Sequence, residues 1–194
     1  MSTPTDKATL APDAELIVEF VNTRDIEEGT DSIAEPAALE AWIAESTGEP
    51  AGSLEPDDVS RIRSLRESLR SLLRRNNGEE IAAAELMPLR EAAERTRIRT
   101  AFSADGELEL VPARSGLSGF EARLLMAVEH LQCHGAWPRL KACTEDSCQW
   151  AFYDTTRNHS RTWCSMDVCG NREKTRRYRS KRSAAPSSTS VRRR

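Results

Sequence analysis

Four cysteines near the C-terminus, spaced Cys143-x4-Cys148-x15-Cys164-x4-Cys169, restrict the fold more than any other feature of the chain. Each close pair makes one tight turn that aims two thiolates at a point. The gap between the pairs is long enough for a hairpin that brings the turns together, which is what a tetrahedral zinc site requires. Cys143, Cys148, Cys164 and Cys169 are therefore the candidate ligands of one structural zinc ion per chain. Four thiolates close the coordination sphere, so hydrolysis at this ion is not expected. Trp150, Phe152, Trp163 and Met166 are nearly all the apolar material such a module has. Metal must hold it, and structural zinc contributes roughly 10–16 kcal/mol in small peptides. The fifth cysteine, Cys133, reads with His134 as a spare thiol and a surface imidazole at a helix end, and His159 as a loop histidine rather than a ligand.

Charge divides the chain at the same place. Residues 1–138 hold 14 Lys/Arg against 26 Asp/Glu, a net of −12, whereas residues 139–194 hold 14 against 5, a net of +9. An acidic body joined to a basic end fits a nucleic-acid binder whose tail contacts phosphates. Attraction between the two halves is the competing reading. No run of about 18 apolar residues is present, which argues against a membrane span, and residues 1–13 lack the features of a secretory signal. A cytoplasmic, reducing location follows as an expectation, and there clustered cysteines more often bind metal than pair as disulfides.

Apolar spacing predicts an α+β chain: a mostly helical N-terminal domain with one β-hairpin, followed by a small treble-clef-like zinc finger with four cysteine ligands. Residues 1–13 and the low-complexity basic tail 183–194 are expected to be disordered, with the domain at 14–138 and the finger with its basic helix at 139–182. The first element, around Leu16, Ile17, Phe20 and Val21, fits either helix or strand. Pro36–Ser46 reads as a helix ending before Gly48. Val59, Ile62, Leu65, Leu69, Leu72 and Leu73 line a second helix, opened by Glu55, Asp57 and Asp58 and stopped by Asn76-Asn77-Gly78. Ile81–Arg95 reads as helix with Pro88 near a kink or boundary. Ile98, Thr100 and Phe102 alternate before Asp105-Gly106, and Leu108 and Leu110 after it, which predicts the hairpin. Ser118 and Glu121 form a capping-box pattern ahead of a stripe of Phe120, Leu124, Leu125, Val128 and Leu131. Within the finger, Trp150–Asp154 and Arg161–Trp163 are expected to pair as strands.

Beyond Cys169 the chain becomes a helix polar nearly all round. Arg172, Arg176 and Arg179 fall on one face, Lys174, Arg177, Lys181 and Arg182 beside them, and only Tyr178 is apolar enough to anchor inward. Such a helix has no core to stabilise it and fits a polyanion along its length. With Arg157 and Arg161 from the finger loop, these residues are the candidate nucleic-acid contacts. Residues 1–138 show no phosphate loop and no nucleophile-base set, so the chain reads as a non-enzyme. Asn22 and Thr23 are weak candidates for a ligand pocket, with helix capping as the alternative.

Cys143-Thr-Glu-Asp-Ser-Cys148, Phe152-Tyr-Asp154, Arg161-Thr-Trp-Cys164-Ser-Met166 and Cys169-Gly-Asn-Arg172 together resemble the CGNR zinc-finger family of bacterial proteins over residues 139–182. Its N-terminal partner is the ABATE domain, and Phe20-Val21-Asn22-Thr23 resembles the signature near that domain's start. The resemblance implies a stress-linked transcription regulator whose finger binds DNA, with the four cysteines as zinc ligands. It leaves Asp154, Arg161 and Arg172 open between structural and DNA-facing roles. Tyr153 departs from the apolar residue usual beside that aspartate. The reading is thus a zinc-dependent DNA-binding transcriptional regulator, its N-terminal domain sensing a small-molecule effector or forming a homodimer. The alternatives are a zinc-stabilised protein-interaction module or an RNA-binding protein.

Overall fold

The computed structural model describes residues 4–184, with the side chains of residues 11–176 and 178–180. Helix α1 (Pro4–Asn22) resolves the first ambiguity in favour of helix. Ala14, Ile17, Phe20 and Val21 are buried at spacings of three and four, the stripe a helix needs to meet a core. Its start at Pro4 lies ten residues ahead of the expected domain boundary at residue 14, over residues expected to lack order. Strands β1 (Arg24–Asp25) and β2 (Thr30–Asp31) form a short antiparallel hairpin absent from the sequence reading.

Helix α2 (Pro36–Thr47) stops where expected: Gly48 takes a left-handed φ of 71° and returns its N–H to the Ala44 carbonyl at 2.9 Å. Helix α3 (Pro56–Asn76) opens on a reciprocal Glu55/Asp58 capping box and buries Val59, Ile62, Leu65, Leu69, Leu72 and Leu73. A one-turn 3-10 segment (Ala83–Leu86) leads into α4 (Met87–Arg95), with Pro88 in the first turn, where its missing N–H costs nothing. Strands β3 (Ile98–Phe102) and β4 (Leu108–Pro112) form the expected hairpin, Thr100 facing Leu110.

Helix α5 (Gly116–Cys133) corrects one expectation, since its N-cap is Ser115 rather than Ser118. Glu121 is not a capping partner. It is buried and takes Arg95 at 2.6 Å and Arg61 at 3.5 Å. Phe120 closes the core with Phe20 and Trp42, all three ring centroids lying 5.3–5.7 Å apart in tilted or edge-on contacts.

The chain then enters β5 (Leu140–Ala142) and β6 (Ala151–Tyr153), which pair antiparallel with Lys141 opposite Phe152. This replaces the expected pairing of Trp150–Asp154 with Arg161–Trp163. The first cysteine pair is itself the turn of the hairpin, so its flanking residues zip together, and the later segment is held by side chains and by one backbone bond, from the Thr144 N–H to the Thr162 carbonyl at 3.2 Å. β5 packs on α3 and β6 on α1, with Leu140, Ala142 and Ala151 in the same apolar cluster as Ile17 and Leu69. The finger therefore shares its first hairpin with the body's core and is not a fully separate module. After a π-turn (Met166–Gly170) comes α6 (Asn171–Ala184). Of the expected tail 183–194, residues 185–194 lie outside the described residues.

Candidate metal centre and its basic helix

Strand β5 delivers Cys143 at the end of a fully buried run. The Cys143 N–H donates to the Trp150 carbonyl at 2.9 Å, closing the knuckle, and the Cys148 N–H donates to the Glu145 carbonyl at 2.8 Å. Gln149 then turns the chain through a left-handed φ of 49° into β6. On the other side, the Ser165 hydroxyl accepts from the Val168 N–H at 3.4 Å, opening the π-turn that carries Cys169 into the start of α6. Gly170 allows a close approach there: a Cβ at this position would lie 2.5 Å from the Met166 sulfur.

These turns bring the four sulfurs within 4.8 Å of one another, with Cys148–Cys164 at 3.5 Å and Cys164–Cys169 at 3.7 Å. Tetrahedral zinc with bonds of about 2.3 Å sets its sulfurs about 3.8 Å apart, so the donor set and its spacing fit the ion. Burial, then the neighbouring sulfurs, push the Cys164 thiol up to about 12 and the Cys169 thiol higher still. Without a cation these thiols stay protonated. A bound Zn2+ would supply the charge that releases the protons, so metal affinity falls as pH falls.

Polar side chains stiffen the loop between the cysteine pairs. The ammonium of Lys141 is buried and donates to Asp154 Oδ2 at 2.9 Å and to the carbonyls of His159 and Arg161 at 2.7 and 3.0 Å. Asp154, wholly buried, also accepts from the Thr156 hydroxyl and N–H and from the Arg161 N–H, at 2.6–3.0 Å. Burial alone would raise its pKa, but the bonds from Thr156, Lys141 and Arg161 hold the carboxyl well below the usual range. Arg161 stacks 4.7 Å over the Phe152 ring and donates to the carbonyls of Trp163 and Cys164. Asp154 and Arg161 are thus both bonded within the finger.

Of the expected ligand candidates, Asn22 turns out to join body and finger, and Thr23 is bonded within the body. Asn22 acts as a surrogate strand: its amide donates to the Ala151 carbonyl at 3.0 Å and accepts the Ala151 N–H at 2.8 Å. The Thr23 hydroxyl donates to the Phe20 carbonyl at 2.7 Å and accepts from the buried Arg66 at 3.0 Å. Both line a surface groove with Val18, Trp42 and Trp150, but their polar atoms are engaged by the protein. Sequence reasoning missed the rest of the seam. Arg70 donates to the Gln149 carbonyl at 2.8 Å, Asn76 to the Leu140 carbonyl at 2.9 Å, and Asn77 to the carbonyls of Ala142 and Thr162 at 2.9 and 2.8 Å. The one available signal was the Asn76-Asn77 pair, which reads as a helix stop.

On α6 the expected face forms: Arg172, Arg176 and Arg179 line one open groove of about 700 Å³ with Glu145, Val168 and Thr175. Lys174 and Arg179 are exposed, as is Arg157 in the finger loop. Arg172 is engaged by both carboxylate oxygens of Glu27 at 3.0 and 2.6 Å, and Arg176 by Glu145 at 3.3 Å and by Glu173. The side chains of Arg177, Lys181 and Arg182 lie outside the described residues. Tyr178 is 65% exposed and does not anchor inward. His159, Cys133 and His134 are exposed and apart from the cysteine cluster, as expected.

Two family models match. The CGNR zinc finger covers residues 139–182, and the ABATE domain, described as a "Putative stress-induced transcription regulator", covers residues 14–133. No curated protein matches the chain. The finger match carries its four cysteines in close array, the requirement for binding one zinc ion. Well over half of the chain lies within the ABATE match, and the chain belongs to that family, with a CGNR zinc finger as its C-terminal part.

Proposed function

We propose that the chain is a zinc-dependent DNA-binding transcriptional regulator, with Cys143, Cys148, Cys164 and Cys169 holding the ion and α6 lying against the DNA backbone. The observation that carries this reading is the cysteine cluster set at the root of a helix whose Arg172, Arg176 and Arg179 share one face. Guanidinium forks suit phosphate oxygens and guanine edges, and a helix without an apolar face gains most of its binding from charge. Lys174, Arg177, Lys181 and Arg182 extend the contact, and Arg157 approaches from the loop. Arg161 is better assigned to holding the finger together. Such a protein works in the cytoplasm. Its ABATE part senses an effector or dimerises, and the seam through Asn22 and Arg70 gives it a mechanical route to the finger. Both matching families are regulatory or zinc-finger types rather than enzyme families.

The second reading, a protein-interaction module, is favoured by one observation: Arg172 and Arg176 already hold carboxylates, the groups an acidic partner protein would present. Binding of the zinc-loaded protein to duplex DNA, structured RNA and an acidic peptide, each titrated from about 50 to 200 mM salt, separates the three. Preference for the duplex, with a steep loss of affinity as salt rises, supports the regulator. Preference for RNA or the peptide transfers the function to the corresponding alternative.

A further inference from the structure

The turn Ile26–Gly29 joins β1 to β2 and carries Glu27, exposed, at its tip. The base of this hairpin is fastened into the body. Asp31 receives two nitrogens of the fully buried Arg66, both at 2.8 Å, and Arg63 at 3.0 Å. The Ser32 N–H donates to the Thr23 carbonyl at 2.8 Å, and Ile33 follows wholly buried. A rigid base thus presents the Glu27 carboxylate to the first turn of α6, where Arg172 grips it with two nitrogens. Hydrogen bonding by Arg172 lowers the pKa of Glu27.

Docking of the finger does not depend on this pair. Asn22, Arg70, Asn76 and Asn77 already tie Leu140, Ala142, Gln149, Ala151 and Thr162 to the body. What the pair does occupy is the guanidinium fork of Arg172, the same two-pronged donor set that a phosphate takes. Carboxylate and phosphate compete for this Nη1–Nη2 edge, which Glu27 fills.

We propose that Glu27 is an internal phosphate mimic that gates α6, so that nucleic acid binds fully only when a backbone phosphate displaces Glu27 from Arg172. The gate rests on the reading of α6 as a nucleic-acid-binding helix and adds to it a route by which the ABATE body sets the finger's affinity. Displacement exchanges one exposed ion pair for another, so in the intact protein Arg172 adds little to the salt dependence of binding. Freed of Glu27, it adds the full increment of one phosphate contact, about 0.9 in the log–log slope.

The test uses the zinc-loaded full chain and fluorescence anisotropy, with a labelled DNA duplex and labelled heparin as a non-nucleic polyanion. Glu27→Gln is compared with Glu28→Gln, which removes the same charge from the same turn, and both are repeated in an Arg172→Ala background. Glu27→Gln is expected to bind the duplex about two- to five-fold more tightly, the range of an exposed ion pair, with the steeper slope. Glu28→Gln gives only a smaller, screened gain. In the Arg172→Ala background the advantage of Glu27→Gln over Glu28→Gln disappears. Equal gains from the two substitutions, or an advantage that survives Arg172→Ala, overturns the gate. If no variant binds duplex but heparin still separates Glu27→Gln from Glu28→Gln, the gate stands and the DNA reading fails.

Discussion

Body and finger meet along one seam but draw their stability from different sources. In the body, α1, α2, α3 and α5 close over Phe20, Trp42, Phe120 and the leucines of α3, one continuous apolar cluster. Outside the β5–β6 strands the finger's own cluster is Cys143, Cys148 and Cys169, with Trp163 and Cys164 packed against them. The remaining material there is polar: a buried Lys141–Asp154 pair and an arginine spent on carbonyls. The body needs only its sequence to collapse. In the finger, four clustered thiols and a buried salt bridge give little to gain from leaving water, so a bound ion would supply most of its stability.

That contrast is broken most severely by taking away the metal. Chelation, or Cys169→Ser, removes an interaction of the order of 10–16 kcal/mol. Hydrogen exchange should then show loss of protection from Cys143 through the start of α6, with the amides of Leu65 and Leu69 still protected. Loss of protection in α3 to the same extent would mean that the two regions are one cooperative unit. The converse substitution, Phe120→Ala, should lower the stability of the body by about 3–5 kcal/mol, measured by urea unfolding of the zinc-loaded protein.

Next in size is Asp154→Asn, which leaves the Lys141 ammonium with carbonyl partners only and should cost about 3 kcal/mol, the low end for a broken buried pair. The sign with pH follows from the depressed Asp154 carboxyl. Its stabilisation is complete above the ordinary carboxylate value of about 3.9 and is lost as pH falls below it toward the lowered folded value. Acid titration of the two proteins should therefore converge at low pH, and a constant gap between them would contradict the assignment. The smallest expected effect is at the seam. Asn22→Ala strands the Ala151 N–H and carbonyl and should cost about 1–3 kcal/mol, seen as faster amide exchange at Ala151 without loss of zinc.

Much of the body was legible because its signals are local. The α3 stripe with its acidic start, Gly48 and the Asp105-Gly106 turn all act within a few residues. The cysteine cluster was equally legible, since ligand spacing is a sequence property. What escaped depends on partners far apart in the chain. Asn22 meets Ala151 across 129 residues and Arg172 meets Glu27 across 145, and no periodicity announces either pair. The β5 and β6 strands are three residues each, too short to alternate recognisably, and Ser115 displaced Ser118 as the cap because Gly116 already begins the helix.

The most direct measurement is zinc content and duplex affinity determined on the same reduced samples, for the intact chain and for Cys164→Ser. One zinc per intact chain is expected, with affinity that falls steeply with salt, and with loss of both zinc and binding in the variant. An intact chain without stoichiometric zinc, or a zinc-free variant that binds duplex as well as the parent, would contradict a metal-braced DNA-binding helix.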